Sequence, residues 1–148
     1  MGIVDVLRRG HALLIDENPI DVAIFREERV REGGGFRDVK EYVGLVHGRL
    51  YQESTGRAGG EESTTIPGTL HTEARWGFVC MPTMLPVDDE TGELVEDGEP
   101  IDTDIRAGAH VTDSFEHPRF GRYKITSVYP REDLGTVWGW AASVEVYR

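Results

Sequence analysis

The chain has 148 residues, a length that fits one domain. Its 27 acidic and 16 basic residues give a formal charge of −11, which argues against gripping nucleic acid through phosphates or docking on an anionic membrane. A single cysteine, Cys80, excludes an intramolecular disulfide framework and a cysteine-rich zinc site. No apolar run approaches the roughly 18 residues of a membrane-spanning helix.

Residues 3–15 are predicted to form a short amphipathic helix that ends before Pro19, because the residue before proline disfavours helical backbone. One face of this helix carries Val4, Leu7, His11 and Leu14. Gly10 weakens the helix, and so short a helix is marginal alone. Its apolar face must therefore pack on its own domain or on a neighbouring subunit.

Alternating apolar residues predict a mainly β chain, a small antiparallel barrel or sandwich of five to six strands. Residues 1–18 would be a helical extension and residues 19–148 the barrel of a single domain. The predicted strands are residues 20–30, 36–52, 72–81, part of 105–117, 121–130 and 136–147, with a glycine turn at 33–35.

Three strand predictions concern side-chain direction. Gly44 and Gly48 inside the long second strand indicate a bulge or sharp bend. Trp76, Phe78 and Cys80 share a core face, with Cys80 acting as a small apolar residue. In the first strand of the last hairpin, successive side chains are predicted to alternate between two faces. One face carries Tyr123, Ile125 and Ser127, and the other carries Lys124, Thr126 and Val128. Trp138, Trp140, Ala142, Val144 and Val146 are placed on one face of the final strand.

Two long insertions interrupt the strands. Residues 53–71 are rich in glycine, serine and threonine, and structureless loops beyond about 15 residues are usually functional or disordered. Residues 82–104 include nine acids and no base between Asp88 and Asp104. Residues 87–95 are predicted to form a small hairpin turning at 90–93. Such an acidic loop suits solvent, an interface, or a passage through which DNA slides without sticking.

No motif predicts catalysis, a metal site or a cofactor, so we expect a protein that is not an enzyme. Residues 56–60 lack the lysine of a phosphate-binding loop, and no nucleophile elbow occurs. The other histidines (His11, His47 and His71) lack metal-pair spacing. Two metal alternatives stay open: chelation by His110, Asp113, Glu116 and His117, and calcium binding at Asp88, Glu90 and Gly92.

The C-terminal part resembles the head–tail joining proteins of tailed bacteriophages, also called head-closure or stopper proteins. Residues 105–113 (IRAGAHVTD) follow that family's I-x-x-G-D-x-[IV] pattern, with Ala109 in place of the acid. Residues 121–130 (GRYKITSVYP) are similar to its G-x-x-[YF]-x-V-x-x-V-x-P pattern from Tyr123 to Pro130, with Ile125 in place of the first valine and one residue fewer between Gly121 and Tyr123. Residues 137–146 supply the final hydrophobic strand. The resemblance covers roughly residues 19–148, with the insertions matched by position only.

The resemblance implies a structural virion protein of the phage neck, assembled in the host cytoplasm and placed at the head–tail junction. Copies of the chain would form a ring between the portal–adaptor complex above and a tail-terminator or tail-tube protein below. Packaged DNA would pass through the channel without specific binding, and the loop at 53–71 would help retain it. The candidate plug residues are Gly56, Arg57, Gly59, Gly60, Glu61 and Glu62. The candidate interface residues are Leu7, Leu14, Asp88, Asp89, Glu96 and Asp97.

Two alternatives remain open at this level. The first is a neighbouring neck protein, the tail terminator, which is typically mixed α/β with a larger sheet. The second is a monomeric β-barrel that binds a small ligand or metal, with a compact pocket near residues 110–117.

Overall fold

The computed structural model describes residues 2–52 and 75–147 of the chain. These residues form one helix and eight strands, so the prediction of a mainly β fold is confirmed. The elements are α1 (Ile3–Asp16), β1 (Ile20–Glu32), β2 (Gly35–Gln52), β3 (Trp76–Cys80), β4 (Thr83–Met84), β5 (Ile101–Asp102), β6 (Val111–His117), β7 (Gly121–Asp133) and β8 (Thr136–Val146).

Six strands close into an antiparallel barrel in the order β1-β2-β3-β8-β7-β6. Closure leaves this sheet without free edges. The side chains inside include Ile24, Val46 and Phe78, and the rings of Phe78 and Phe115 lie 4.7 Å apart between centroids. The strands β4 and β5 pair with each other outside the barrel and belong to the second insertion.

The long strand β2 is bent as the sequence predicts. Ile24 pairs with Gly44 and Phe25 pairs with Tyr42, so Val43 is the extra residue of a bulge. After the bulge the strand also pairs with β3, from Gly48 to Gln52. The bulge and the change of partner allow one strand to serve two sides of the barrel.

Two further bulges overturn parts of the predicted alternation in the last hairpin. In β7, Ile125 pairs with Val144 and Ser127 with Ser143, which leaves Thr126 as an extra residue. The alternation changes phase there, so that Val128 packs against the core. A bulge changes side-chain direction without any change in sequence hydrophobicity, so the pattern alone could not reveal it.

The second of these bulges makes the prediction for Trp138 wrong. Arg131 pairs with Gly139 and Glu132 with Val137, so Trp138 is the extra residue of β8. Its ring contacts His11 of α1, whereas Trp140, Ala142 and Val144 pack in or against the barrel core as predicted. Val146, near the end of the strand, is exposed.

The helix α1 packs on the outside of its own barrel. The sequence had left open whether its apolar face packs on its own domain or on a neighbouring subunit. Ile15 is fully buried and clusters with Val79 of β3 and Ala141 of β8. No side chain caps the first turn at Gly2. Because so short a helix is marginal in isolation, tertiary packing of this kind must supply most of its stability.

A buried ion pair crosses from β1 to β6. Arg26 donates from Nε to Oδ1 of Asp113 and from Nη2 to Oδ2, both at 2.9 Å, and both side chains are buried. The amide of Arg106 donates to the same Oδ2 at 2.7 Å, and Arg26 also donates to the Asp104 carbonyl at 3.0 Å. The pair therefore fastens the end of the second insertion to the barrel.

This ion pair also changes the interpretation of Asp113. Burial would lower the pKa of Arg26, but the hydrogen bond and the charge of Asp113 outweigh it and raise that pKa above its ordinary value. The Asp113 carboxylate is already paired with the Arg26 guanidinium. It is therefore not free to bind a metal ion, which was one of the alternatives that the sequence left open.

His47 links the end of α1 to the start of β1. Its Nδ1 lies 2.7 Å from Oδ1 of Asp21 and its Nε2 lies 2.9 Å from Oδ1 of Asp16. Beside it on β2, Arg49 donates to Glu17 at 2.8 Å. The hydrogen bonds to Asp16 and then Asp21 raise the pKa of His47 despite partial burial.

We expect this contact to make stability depend weakly on pH. A raised folded-state pKa means that the stabilisation is complete below the ordinary histidine pKa, about 6.5. It is lost as pH rises through the higher folded-state value. Because the site is largely exposed, the contribution should stay below about 1 kcal/mol. Urea unfolding of the wild-type chain and of His47→Gln should differ at pH 6 and converge by pH 9. A difference that grows with pH would contradict this assignment.

Candidate interaction surfaces

An apolar groove of about 770 Å³ runs between α1 and the barrel. The helix contributes Val6, Leu7 and Leu14, so two of the predicted interface residues lie here. The barrel side is formed by Val79, Trp138 and Ala141. Leu14 is 47% exposed and Val6 is 51% exposed, so the helix leaves apolar surface uncovered after it has packed.

His11 forms part of the groove wall and anchors the helix. Its Nε2 lies 2.7 Å from the carbonyl oxygen of Cys80, and since a carbonyl only accepts, Nε2 donates this bond. The ring packs edge-on against Trp138, with centroids 5.6 Å apart. A side chain at Gly139 would collide with this ring, because its Cβ would lie 2.5 Å from His11 Nε2.

Sequence reasoning placed His11 on the apolar face of the helix but missed this anchoring role. The role depends on two residues that are far apart in the sequence, Gly139 in β8 and His11 on the apolar face of the helix. Neither residue indicates the role without the contact between them.

The charged residues that line the groove are both basic, Arg49 and Arg131. Arg49 donates to the carbonyl of Leu14 at 3.0 Å and to Glu17, which ties it to the helix end. Close by, Arg8 donates from Nη2 to the Val137 carbonyl at 3.5 Å. Its buried Nε has no partner within residues 2–52 and 75–147. The groove is therefore apolar at its floor. Of the two lining arginines, Arg49 is paired with Glu17, and Arg131 has no ion pair among the described residues.

The second insertion forms the predicted small hairpin. Val87 and Leu94 form an antiparallel bridge, and Asp88 and Glu93 are joined by a backbone hydrogen bond of 2.8 Å. The Asp88 carboxylate accepts the amides of Glu90 at 2.8 Å and Thr91 at 3.1 Å. These hydrogen bonds lower the pKa of Asp88, so it stays ionised while it holds the turn.

This hairpin is fixed to one part of β2. The amide of Tyr42 donates to the Asp89 carbonyl at 2.8 Å, and Leu45 and Leu85 exchange two backbone hydrogen bonds. Gly92 has a φ of +75°, and a Cβ there would lie 2.9 Å from the Tyr42 ring. A backbone hairpin with these contacts holds its side chains in a defined position.

The hairpin presents acids together with apolar side chains. Leu94 is 55% exposed and Val95 is 47% exposed. The acids that surround them are all exposed and include the four predicted interface acids: Asp88, Asp89, Glu90, Glu93, Glu96, Asp97 and Glu99. We call residues 86–99 the acidic hairpin. Two neighbouring exposed apolar side chains among these acids make this hairpin a candidate contact surface.

Two other hairpins extend away from the barrel core. Residues 31–38, at the tip of β1 and β2, are exposed throughout and carry Phe36, under the Arg29 guanidinium. The tip of β7 and β8 carries Leu134, which is 88% exposed with a φ of +51°. Such extensions add surface without adding core, as expected of arms that contact other molecules.

The predicted plug segment, residues 53–71, lies outside the described residues. Its candidate residues Gly56, Arg57, Gly59, Gly60, Glu61 and Glu62 therefore stay predictions, as does any role for His71. The described strands on either side are adjacent, since Gln52 pairs directly with Trp76.

The structure does not bring the candidate metal ligands at 110–117 together. His110 and His117 lie just before and at the end of β6, separated by the length of the strand. His117 accepts the amides of Arg119 at 3.0 Å and Phe120 at 3.2 Å through Nδ1. Burial, and then the charge of Arg119, lower its pKa. Within the described ranges, no three His, Cys, Asp or Glu residues form a group suited to a metal, the calcium alternative at Asp88 included.

A small polar cleft of about 270 Å³ does lie at His110. Ala109 and Thr112 form part of its wall. The rest of the wall consists of charged residues of both signs: Glu27, Glu28, Arg29, Asp38 and Lys40. Cys80, by contrast, is fully buried, and burial raises the pKa of its thiol, which confirms it as a small core residue.

No family model matches the chain, and no curated protein or solved structure matches it either. Among the described residues no helix is long and apolar enough to cross a membrane. The geometry defines the class of the molecule as a small closed β-barrel that displays a helix-bounded groove, an acidic hairpin and two projecting arms.

Proposed function

We propose that this chain is a head-closure subunit of a tailed-bacteriophage neck, forming a ring that joins the portal–adaptor complex to the tail. The observation that carries the proposal is a closed six-stranded barrel on which the resembling strands lie in order. Residues 105–113 lead into β6, and residues 121–130 and 137–146 fall within β7 and β8.

The surfaces of the barrel support a ring. A ring subunit must contact a neighbour on each side, so it needs two different interaction surfaces that are complementary to each other. The groove beside α1 and the acidic hairpin are two such surfaces, and the arms carrying Phe36 and Leu134 add further apolar contacts. The charge of −11 suits a channel that DNA traverses without adhering.

The tail-terminator alternative fits less well. That class is expected to be mixed α/β with a larger sheet, whereas the described residues form a closed barrel and one helix. The alternative of a monomeric ligand-binding barrel draws its support from the cleft at His110. It predicts that a panel of metal ions and small anions will raise the melting temperature, which a neck ring does not require.

The decisive experiment is electron microscopy of native virions in which this chain is tagged or labelled with an antibody. We expect label at a ring at the head–tail vertex. Label absent from every particle would overturn the proposal. Density at the tail-proximal side of the neck, below a separate closure ring, would instead favour the terminator.

DNA retention gives a second test, on the loop between Gln52 and Trp76. Because these two residues are paired neighbours, a short glycine-serine linker can replace residues 54–73 without stretching the barrel. We expect the variant barrel to keep its melting temperature within a few degrees, and variant particles to lose packaged DNA and infectivity. DNA-filled infectious virions would remove the plug assignment. A composition-scrambled loop of equal length is the matched control for length alone.

A further inference from the structure

The groove and the acidic hairpin are complementary to each other, and we propose that they form the contact between successive copies of this chain. The hairpin of one copy places Leu94 and Val95 in the groove beside α1 of the next copy. This inference rests on the proposed ring, since it names the interface from which the ring is built.

Charge is the first argument for this occupant. The charged residues lining the groove are Arg131 and Arg49, of which Arg49 is already paired with Glu17. The acidic hairpin carries seven acids and no base. A chain with an overall charge of −11 repels its own copies unless a basic surface meets an acidic one. The groove margin is one place where arginines gather beside exposed apolar surface.

Apolar surface is the second argument. The floor of the groove, formed by Val79, Trp138 and Ala141, leaves room of about 770 Å³. Leu94 and Val95 are neighbours at the edge of the acidic hairpin and are about half exposed. A leucine and a valine entering such a groove would remove apolar area from water on both partners.

Position is the third argument, because the two surfaces lie at different points along β2. The acidic hairpin lies beside Tyr42, and the groove is lined by Tyr51, nine residues further along β2. That separation is about 30 Å of chain length along a strand that bends at the Val43 bulge. Two complementary surfaces at different ends of one subunit make a head-to-tail contact, which closes into a ring when the rotation permits.

Cross-linking of the full chain tests the contact. Cys80 is fully buried and serves as an inert background thiol. Leu14→Cys, in the groove, and Leu94→Cys, on the hairpin, both replace exposed leucines, so folding should be retained and is checked by circular dichroism. At the highest soluble concentration, a short bismaleimide should link a mixture of the two single variants into heterodimers. The double variant should give a ladder of multimers.

Two controls separate a specific contact from collision. Each single variant alone should give little cross-linking, because a head-to-tail interface does not place a residue opposite its own copy. Phe120→Cys, in the exposed turn between β6 and β7, mixed with Leu94→Cys should stay at the collision background. Arg131→Glu in the double variant should lower the ladder yield several-fold. Linkage of the Leu14 and Leu94 positions no stronger than this control would overturn the inference.

The outcome is independent of the neck assignment. Labelled rings at the virion vertex without linkage of positions 14 and 94 would remove this interface and leave the proposed function. Specific linkage in a chain whose label never appears on particles would keep the interface and remove the neck.

Discussion

Replacing Asp113 by alanine should destabilise the barrel by about 3–5 kcal/mol, which is a large part of the stability of a domain this size. The substitution removes the bidentate partner of the buried Arg26 guanidinium, which keeps only the Asp104 carboxylate at 3.5 Å, and it leaves the Arg106 amide without its acceptor. The Arg26 side chain is buried in the barrel wall, where water cannot replace the carboxylate cheaply. Urea unfolding followed by tryptophan fluorescence measures the change.

Two comparisons make the Asp113 result specific. Asp38→Ala removes an exposed partner of Arg29, 3.5 Å away, and should change stability by less than about 0.5 kcal/mol. The double variant Arg26→Met with Asp113→Leu should lose less stability than Asp113→Ala, because it leaves no isolated buried charge. An Asp113→Ala variant within 1 kcal/mol of wild type would show that the pair is not buried as described.

Replacing Gly48 by alanine should cost about 2 kcal/mol, the second large effect we expect. A Cβ at this position would stand 2.5 Å from the Val79 carbonyl oxygen and 2.6 Å from the Phe78 ring. The oxygen belongs to the backbone of the neighbouring strand, so it cannot swing aside as a side chain does. Relief requires β2 and β3 to separate where Gly48 pairs with Cys80.

Gly10→Ala is the matched control, since it makes the same substitution with the opposite expected sign. Gly10 lies within α1, and an added Cβ meets no atom within 4 Å. Alanine there should stabilise the protein by about 0.5–1 kcal/mol through its better helix propensity. If both variants shift the urea midpoint in the same direction, the close approach at Gly48 is not the controlling factor.

The sequence could predict features that depend on local pattern. The helix, the long bent strand β2 and the acidic hairpin each have a local signature: an apolar spacing, glycines inside an apolar alternation, or an acid before a turn. Cys80 was also predictable, because an apolar strand sequence surrounds it. These predictions agree with the structure because neighbouring residues supply most of the relevant physics.

The candidate site was only partly predictable, for a different reason. Leu7 and Leu14 were identified from the helical stripe, and the hairpin acids from their density in the sequence. Trp138 was assigned to the wrong face, because one extra residue in β8 reverses side-chain direction without any sign in the pattern. Asp113 was grouped with His110 and His117 by proximity along the chain, yet its partner is Arg26, 87 residues away in sequence.

The sequence by itself determined that this protein is mainly β, a small barrel or sandwich, with one short helix, two polar insertions and a strongly acidic balance. Hydrophobic periodicity, turn residues and charge are properties of short segments, so they can be identified in the sequence alone. Only the tertiary structure decided that α1 packs on its own barrel and that His11 fits over Gly139. It also decided that an arginine-lined groove and an acidic hairpin lie at separate places on β2. Those facts depend on barrel closure, which brings distant residues together through strand register and bulges that no single segment encodes.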